Sequence, residues 1–445
     1  MSDSFAGMFE EAVRVLRRND MGGWTRAAPE LYPHQWSWDS AFIAIGLARL
    51  GARRAASELT TLLDGQWTTG KIPHIVFNPK APPGSYLLGP EHWASASLSR
   101  SASGTPRPTS ALCQPPVHAI AALRIFEVAR GTADEDEARS FLSGGYANLL
   151  AWHRYLATAR DPEGSGLVTI YHPWESGTDN SPRWDEALAN VKVGELSPYA
   201  RPDLGFVDEP SERPTAEEYD RYLWLVDLLK RSRYDEGRIY RSHPFLVKDV
   251  LFSAILVAAN EALVEISRIV GARERDVEMI GRWIERGRRG LDACYDGDLG
   301  LCLDRDLRSD EPLRVRTIAG FAPLISGCTD TLREKLLLLL YSGTFAGDDR
   351  LRWPLPPSTS PREARFHPRA YWRGPVWPVI SWLLWRSLKL AGEEGRAADL
   401  RRSSLEQLAA GGFAEYFEPF TGEPLGSDDQ SWTAAVALDW LAPEP

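Results

Sequence analysis

Buried helices alternating with amphipathic ones predict an all-α protein, its helices arranged in two concentric layers as an (α/α)6 barrel. Three observations carry that expectation. Segments that are apolar on nearly all sides are each followed by one with a single apolar stripe; the first kind must be buried and the second can cover it. About twelve such helices fit 445 residues. No fixed-length repeat recurs, which counts against a helical solenoid, the other architecture with this alternation.

Residues 4–18 read as an amphipathic helix. Tyr32-Pro-His-Gln-Trp-Ser-Trp-Asp-Ser40 is a loop, with Asp39 or Ser40 as the N-cap of a helix reaching Leu50. That helix is apolar all round; the next, about 53–64, has one stripe. The pairing recurs at Val117–Val128 with 135–158, at Val247–Val270 with 274–291, and at Trp377–Leu390 with 396–409. The apolar Ser431–Leu441 closes the series. Two long irregular stretches interrupt it, about 66–114 and about 191–225, the latter most irregular up to residue 215. Unstructured stretches of this length inside a compact domain are usually functional, and their Gly/Pro-rich, polar content suits lids over an axial pocket. No linker is visible, so residues 1–445 read as one catalytic domain.

Composition narrows the function. Net charge is −10, and no basic run is long enough for a nucleic-acid track. No apolar run reaches the roughly 20 residues of a membrane span, and the first residues lack the pattern of a secretory leader. Four cysteines (Cys113, Cys294, Cys302, Cys328) show neither metal spacing nor disulfide density, so a reducing, cytoplasmic setting is expected. Oligomeric state is left open, a homo-oligomer included. No His/Asp/Glu cluster has ligand spacing, so neither metal nor organic cofactor is expected. Trp is in excess, with 17 residues clustered near Pro, Gly and acids.

Those clusters carry the chemistry. His172-Pro-Trp-Glu-Ser-Gly-Thr-Asp-Asn-Ser181 sets Trp174, Glu175 and Asp179 in one short loop around Gly177. An indole offers a platform for a pyranose face, and acids offer hydrogen bonds and protons. The structural alternative is that Glu175 or Asp179 only caps a helix starting near Arg183. Phe413-Ala-Glu-Tyr-Phe-Glu418 places Glu415 among aromatic rings, where a lone charge needs a reason. Tyr371-Trp-Arg-Gly-Pro-Val-Trp377 is dense in rings, and Gly374 permits close approach to a ligand. Loops this far apart in sequence can face each other across a ring of helices.

Five pieces in one order, Trp36-Ser-Trp-Asp39, Pro73-His-Ile-Val-Phe77, Pro173-Trp-Glu-Ser-Gly-Thr-Asp-Asn180, Tyr371-Trp-Arg-Gly-Pro-Val-Trp377 and Phe413-Ala-Glu-Tyr416, resemble family 63 of the glycoside hydrolases. Within it the likeness is to the bacterial glucosylglycerate and mannosylglycerate hydrolases, and it runs from Tyr32 to Trp432. The resemblance implies an inverting mechanism with Asp179 as general acid and Glu415 as general base. It places Trp36, Ser37, Trp38, Asp39, Gly177, Tyr371, Trp372 and Gln430 about the sugar, and the residue patterns of their own loops add Trp174, Gly374 and Trp377. It places Tyr32, Tyr86, Gln114, Arg213 and Tyr219 about a glycerate carboxylate, with Arg201 and Arg221 as competitors of Arg213. The substrate so implied is a small glycoside with an acidic aglycone, 2-O-α-glucosylglycerate and also mannosylglycerate. Three points stay open: Glu175 as the acid, a neutral α-glucosidase or trehalase-like activity, and a non-catalytic sugar-binding toroid.

Overall fold

The computed structural model describes residues 5, 7–82, 84–99, 107–206 and 209–443, so residues 100–106 of the first insertion and the start of the first expected helix lie outside the described residues. Among the described residues, twelve helices carry the architecture. They are α1 (Met8–Asn19), α2 (Ser37–Ala48), α3 (Ala52–Leu63), α4 (His118–Ala129), α5 (Glu135–Thr158) and α6 (Val250–Ile269), followed by α7 (Glu274–Ala293), α8 (Ala322–Ser326), α9 (Asp330–Leu340), α10 (Pro378–Leu390), α11 (Glu394–Gly411) and α12 (Ser431–Leu441).

The even-numbered helices are the apolar ones. Every residue of α2 and α12 is buried, as hydrophobicity on all sides requires. They pack in a closed circuit, α2 on α4, α4 on α6, α6 on α8, α8 on α10, α10 on α12, and α12 back on α2. The odd-numbered helices pack outside: α3 on α2, α5 on α4, α7 on α6, α9 on α8, α11 on α10, and α1 on α12. Each buries one face. In α7 the buried side holds Ile280, Trp283, Gly287 and Leu291.

Local chemistry sets the helix starts. Asp249 caps α6, its Oδ1 accepting from Leu251 N at 2.9 Å and Phe252 N at 3.0 Å, a contact worth about 1 kcal/mol. Several expectations need correction. α2 starts at Ser37, so neither Asp39 nor Ser40 caps it; Asp39 stands in its first turn. Near Arg183 there is only a short turn, Pro182–Trp184, then Asp185–Ala189, with no capping by Glu175 or Asp179. The α8–α9 pair has no counterpart among the expected helices, because its inner member is only five residues long. The second insertion turns helical at Ala216–Arg231, where Thr215 and Glu218 form a capping box. Helix α6 is long and apolar enough to cross a membrane, but most of it is buried against its neighbours.

Short strand pairs pin the loops at one end of the circuit. Gln35–Trp36 pairs antiparallel with Ile75–Val76 just before α2, and Tyr416–Phe417 pairs with Pro424–Leu425 just after Glu415. Loops that converge there line a cavity of about 1020 Å3 of empty space, its mouth included.

Candidate active site

Two polar pairs hold the Trp174–Asp179 loop. Glu175 is fully buried and grips Arg160 bidentately, Nη1 to Oε2 at 2.7 Å and Nη2 to Oε1 at 2.8 Å. Despite burial, the Arg160 charge and the hydrogen bonds from Arg160 and Tyr171 N–H hold the Glu175 carboxyl down to about 2. It does not line the cavity. Nearby, Arg183 donates to Thr178 Oγ1 at 2.8 Å and to both oxygens of Asp304 at 2.8 Å. Beyond Asp179, Asn180 Oδ1 accepts from Trp372 N at 2.8 Å. Gly177 has φ +71°, and a Cβ there would lie 2.7 Å from the Trp38 ring. Only glycine meets both conditions at once.

Asp179 is thus anchored on both sides while its side chain faces the cavity. Burial pushes its carboxyl up to about 8; the Glu415 charge adds to the rise and Arg213 opposes it. Desolvation favours the neutral acid, so this carboxyl keeps its proton at neutral pH.

Glu415, also buried, is held by four donors. Its Oε1 accepts from Tyr32 Oη at 2.8 Å and Tyr371 Oη at 3.3 Å, its Oε2 from Ser427 N at 3.1 Å and Ser427 Oγ at 3.4 Å. Tyr371 sits at φ +50°, a strain of about 1–3 kcal/mol for a non-glycine residue, of the sort that clusters at functional sites. Asp39 is a third carboxyl on the cavity. Burial and the nearby Glu415 and Asp179 charges push it well above the usual range.

Arg213 is the cation of the cavity wall. It is buried, its Nε and Nη2 have no hydrogen-bond partner, and its Cζ lies 4.8 Å from the Tyr371 ring centre. A buried guanidinium with free donors suits an anion. Neither competitor lines the cavity: Arg201 pairs with Asp203 at 2.7 Å and covers the Tyr219 ring, and Arg221 pairs with Glu217 at 2.7 Å.

The cavity brings together most residues named from sequence: Tyr32, Trp36, Trp38 and Asp39 from the approach to α2, Tyr86 and Gln114 from the first insertion, Trp174, Gly177 and Asp179, Arg213 and Tyr219 from the second insertion, and Tyr371, Glu415 and Gln430. Gln430 accepts from Ser427 Oγ at 2.7 Å, the same hydroxyl that touches Glu415. Four named residues lie elsewhere. Ser37 is buried against His118 Nε2 at 3.0 Å. Trp372 and Trp377 stack on each other with centroids 3.8 Å apart, and Trp377 continues onto Tyr416; they buttress Tyr371 from behind. Gly374 has extended backbone, and a Cβ there would meet His367 O at 2.3 Å, so the close approach is to the chain itself. Leu31, His74, Ser85, Leu87, Asp203, Pro214 and Trp432 also line the cavity. His74 falls inside one quoted motif; Leu31, Ser85, Leu87, Asp203 and Pro214 are ordinary loop residues with no pattern to betray them.

Residues 32–433 match the family described as mannosylglycerate hydrolase MGH1-like glycoside hydrolase domain. A glucosylglycerate hydrolase of Mycolicibacterium hassiacum is 49% identical over 97% of this chain and 96% of its own length. A mannosylglycerate hydrolase of Thermus thermophilus is 42% identical over 97% of this chain and 99% of its own. Among solved structures, a family 63 mannosylglycerate hydrolase from Thermus thermophilus, in complex with Tris and D-glycerate, superposes with TM-score 0.89 and 41% identity, covering 98% of this chain and 100% of that one. Neutral trehalase from Saccharomyces cerevisiae, 15% identical with TM-score 0.53, covering 92% of this chain and 71% of that one, shares the helix-rich fold alone. With its carboxyls on one aromatic-walled cavity and a family match over nearly its whole length, the chain belongs to the MGH1-like glycoside hydrolases and is an enzyme that cleaves O-glycosidic bonds.

Proposed function

We propose that the protein is an inverting hydrolase of 2-O-α-glucosylglycerate, with mannosylglycerate as a second substrate, releasing D-glycerate and the free sugar. In this reading the closed circuit of α2, α4, α6, α8, α10 and α12 is the inner ring of an (α/α)6 barrel. The insertions at about 66–114 and 191–225 are lids of one catalytic domain. The observation that carries the reading is the buried Arg213 guanidinium, with Nε and Nη2 free of hydrogen-bond partners, on the same cavity as Asp179 and Glu415. A neutral disaccharide offers such a group only hydroxyl acceptors; a glycerate carboxylate offers an opposite charge and two acceptors in matching geometry. The glucosyl preference rests on the higher identity to the glucosylglycerate hydrolase, 49% against 42% for the Thermus mannosylglycerate hydrolase.

Asp179, protonated, donates to the glycosidic oxygen as the C1–O bond breaks. Glu415 takes a proton from a water that attacks C1 on the opposite ring face, which inverts the anomer. Inversion calls for about 6.5–9.5 Å between the two carboxyls. Trp36, Trp38 and Trp174 bound the sugar, Asp39 and Gln430 accept from or donate to its hydroxyls, and Arg213 with Tyr32, Tyr86, Gln114 and Tyr219 receives the glycerate.

The test offers purified enzyme glucosylglycerate, mannosylglycerate, trehalose and maltose side by side and reads the first-released anomer by NMR. The two glycerates should be cleaved far faster, with the β-anomer released first from the α-glucoside. Asp179→Ala and Glu415→Ala should each lose about 10²–10⁴-fold in kcat. Arg213→Ala should lose about ten- to a hundredfold in kcat/KM on the glycerates. Losses of only a few-fold in both acid variants would leave a sugar-binding protein. Faster cleavage of trehalose or maltose would make it a neutral α-glucosidase.

A further inference from the structure

Arg213 is held by few directional contacts of its own: Nε and Nη2 lack hydrogen-bond partners, and its guanidinium faces the Tyr371 ring at 4.8 Å. Its position therefore depends on the backbone that carries it. That backbone is the single turn Pro210–Glu212, closed by Arg213 N donating to Pro210 O at 3.2 Å. Such a turn on a long insertion is weakly stable by itself.

The turn is tied down from across the cavity mouth. The Glu212 side chain is only 4% exposed, and among the described residues its ion pair is with Arg369, Nε to Oε1 at 2.7 Å. The same guanidinium reaches on through Nη1 to Glu423 Oε2 at 2.5 Å. Glu423 belongs to the turn after Glu415, where its carbonyl accepts from Glu418 N at 2.9 Å. Arg369 itself lies two residues before Tyr371, whose hydroxyl touches Glu415 and whose ring faces Arg213. It does not line the cavity.

We propose that Arg369 is a positioning residue for the acidic aglycone: one guanidinium straps the turn bearing Arg213 to the segment bearing Glu415 and so fixes the distance between anion site and base. The buried Glu212 contact is the stronger half. The Glu423 carboxylate is 47% exposed, and exposed pairs contribute little. Removing Arg369 strands a buried carboxylate, which releases the turn toward water. Arg213 is then mispositioned, while Asp179 and Glu415, held by Tyr222, Asn180, Tyr32 and Ser427, are not.

This rests on the reading of Arg213 as the glycerate contact, so the experiment has two independent readouts. Hydrogen exchange by mass spectrometry follows the segment around residues 209–215 in the wild type, Arg369→Ala, Arg369→Lys and Glu212→Gln. Steady-state kinetics use glucosylglycerate and an α-glucoside with a neutral aglycone. Arg369→Ala should speed exchange in that segment. It should raise KM for glucosylglycerate about tenfold, with kcat within about threefold and the neutral glycoside unaffected. Arg369→Lys, which can hold one carboxylate, should recover part of both effects, and Glu212→Gln should fall between. Unchanged exchange in Arg369→Ala overturns the strap whatever the substrate. Faster exchange in an enzyme that does not distinguish the acidic aglycone from the neutral one keeps the strap and removes the glycerate reading.

Discussion

At the scale of single residues, Asp179 concentrates the trade between catalysis and stability. The acid role proposed for Asp179 needs a protonated carboxyl, and burial pushes this one up to about 8. Activity should therefore fall as pH rises through about 8, a limb absent from variants without the carboxyl. Stability has its own sign. In the unfolded chain the group ionises near about 3.9. Between that value and about 8 the native state binds the extra proton, so stability declines as pH rises across this window and levels off above it. Asp179→Asn removes that decline. It should melt higher than wild type by a margin that widens from about pH 5 to about pH 8, while losing about 10²–10⁴-fold in kcat; a melt lower at every pH would refute the buried-acid assignment. The resemblance favours Asp179 over Glu175 as the acid, while the loop's residues alone do not separate them, since both are carboxyls near an indole. What separates them is a partner fifteen residues upstream of Glu175, Arg160, whose grip no local pattern announces.

At the scale of elements, the loop between Ile170 and Ser181 is braced by the Arg160–Glu175 ion pair and by the Arg183 hydrogen bond to Thr178, neither arginine lining the cavity. Glu175→Ala would leave the buried Arg160 charge with only Glu236, at 3.4 Å, and should cost roughly 3–5 kcal/mol in a denaturant melt. Replacing the pair together, Arg160→Met with Glu175→Leu, should recover part of that loss, since the Tyr171 and Cys113 N–H groups still lose their acceptor. Glu175→Gln should stay within about tenfold of wild-type kcat, in contrast to Asp179→Asn. The element-level reading from sequence worked where an apolar run is unbroken, as in α2 and α12, or a helix is long, as in α5. It failed for α8, whose five residues are too few to show a period. No helix is expected at Ala216–Arg231, where the Thr215–Glu218 capping box stands among the Pro and Arg residues of the second insertion. Cavity walls built from motifs were legible; those built from Leu31, Leu87 or Asp203 were not, because their residue types are common and only the chain path brings them in.

At the scale of the molecule, the circuit of inner helices closes where α2 meets α12. A Cβ on Gly46 would lie 2.4 Å from Ala435 Cα, so these helices touch backbone to backbone. Gly46→Val should overpack the seam, at about 3 kcal/mol or more, and depress activity together with the melting temperature, since Trp38, Asp39, Gln430 and Trp432 flank it. Stitches beside the seam join regions about four hundred residues apart: Asn19 Nδ2 to Ser431 Oγ at 2.9 Å, Ser431 N to Ala27 O at 2.8 Å, and Tyr32 to Glu415. That arrangement carries a consequence for biosynthesis. On a ribosome, Tyr32 emerges early and must wait for Glu415 and Ser431 to be translated before its hydroxyl finds a carboxylate. The seam and the Tyr32–Glu415 contact at the cavity therefore form only once nearly the whole chain has been made.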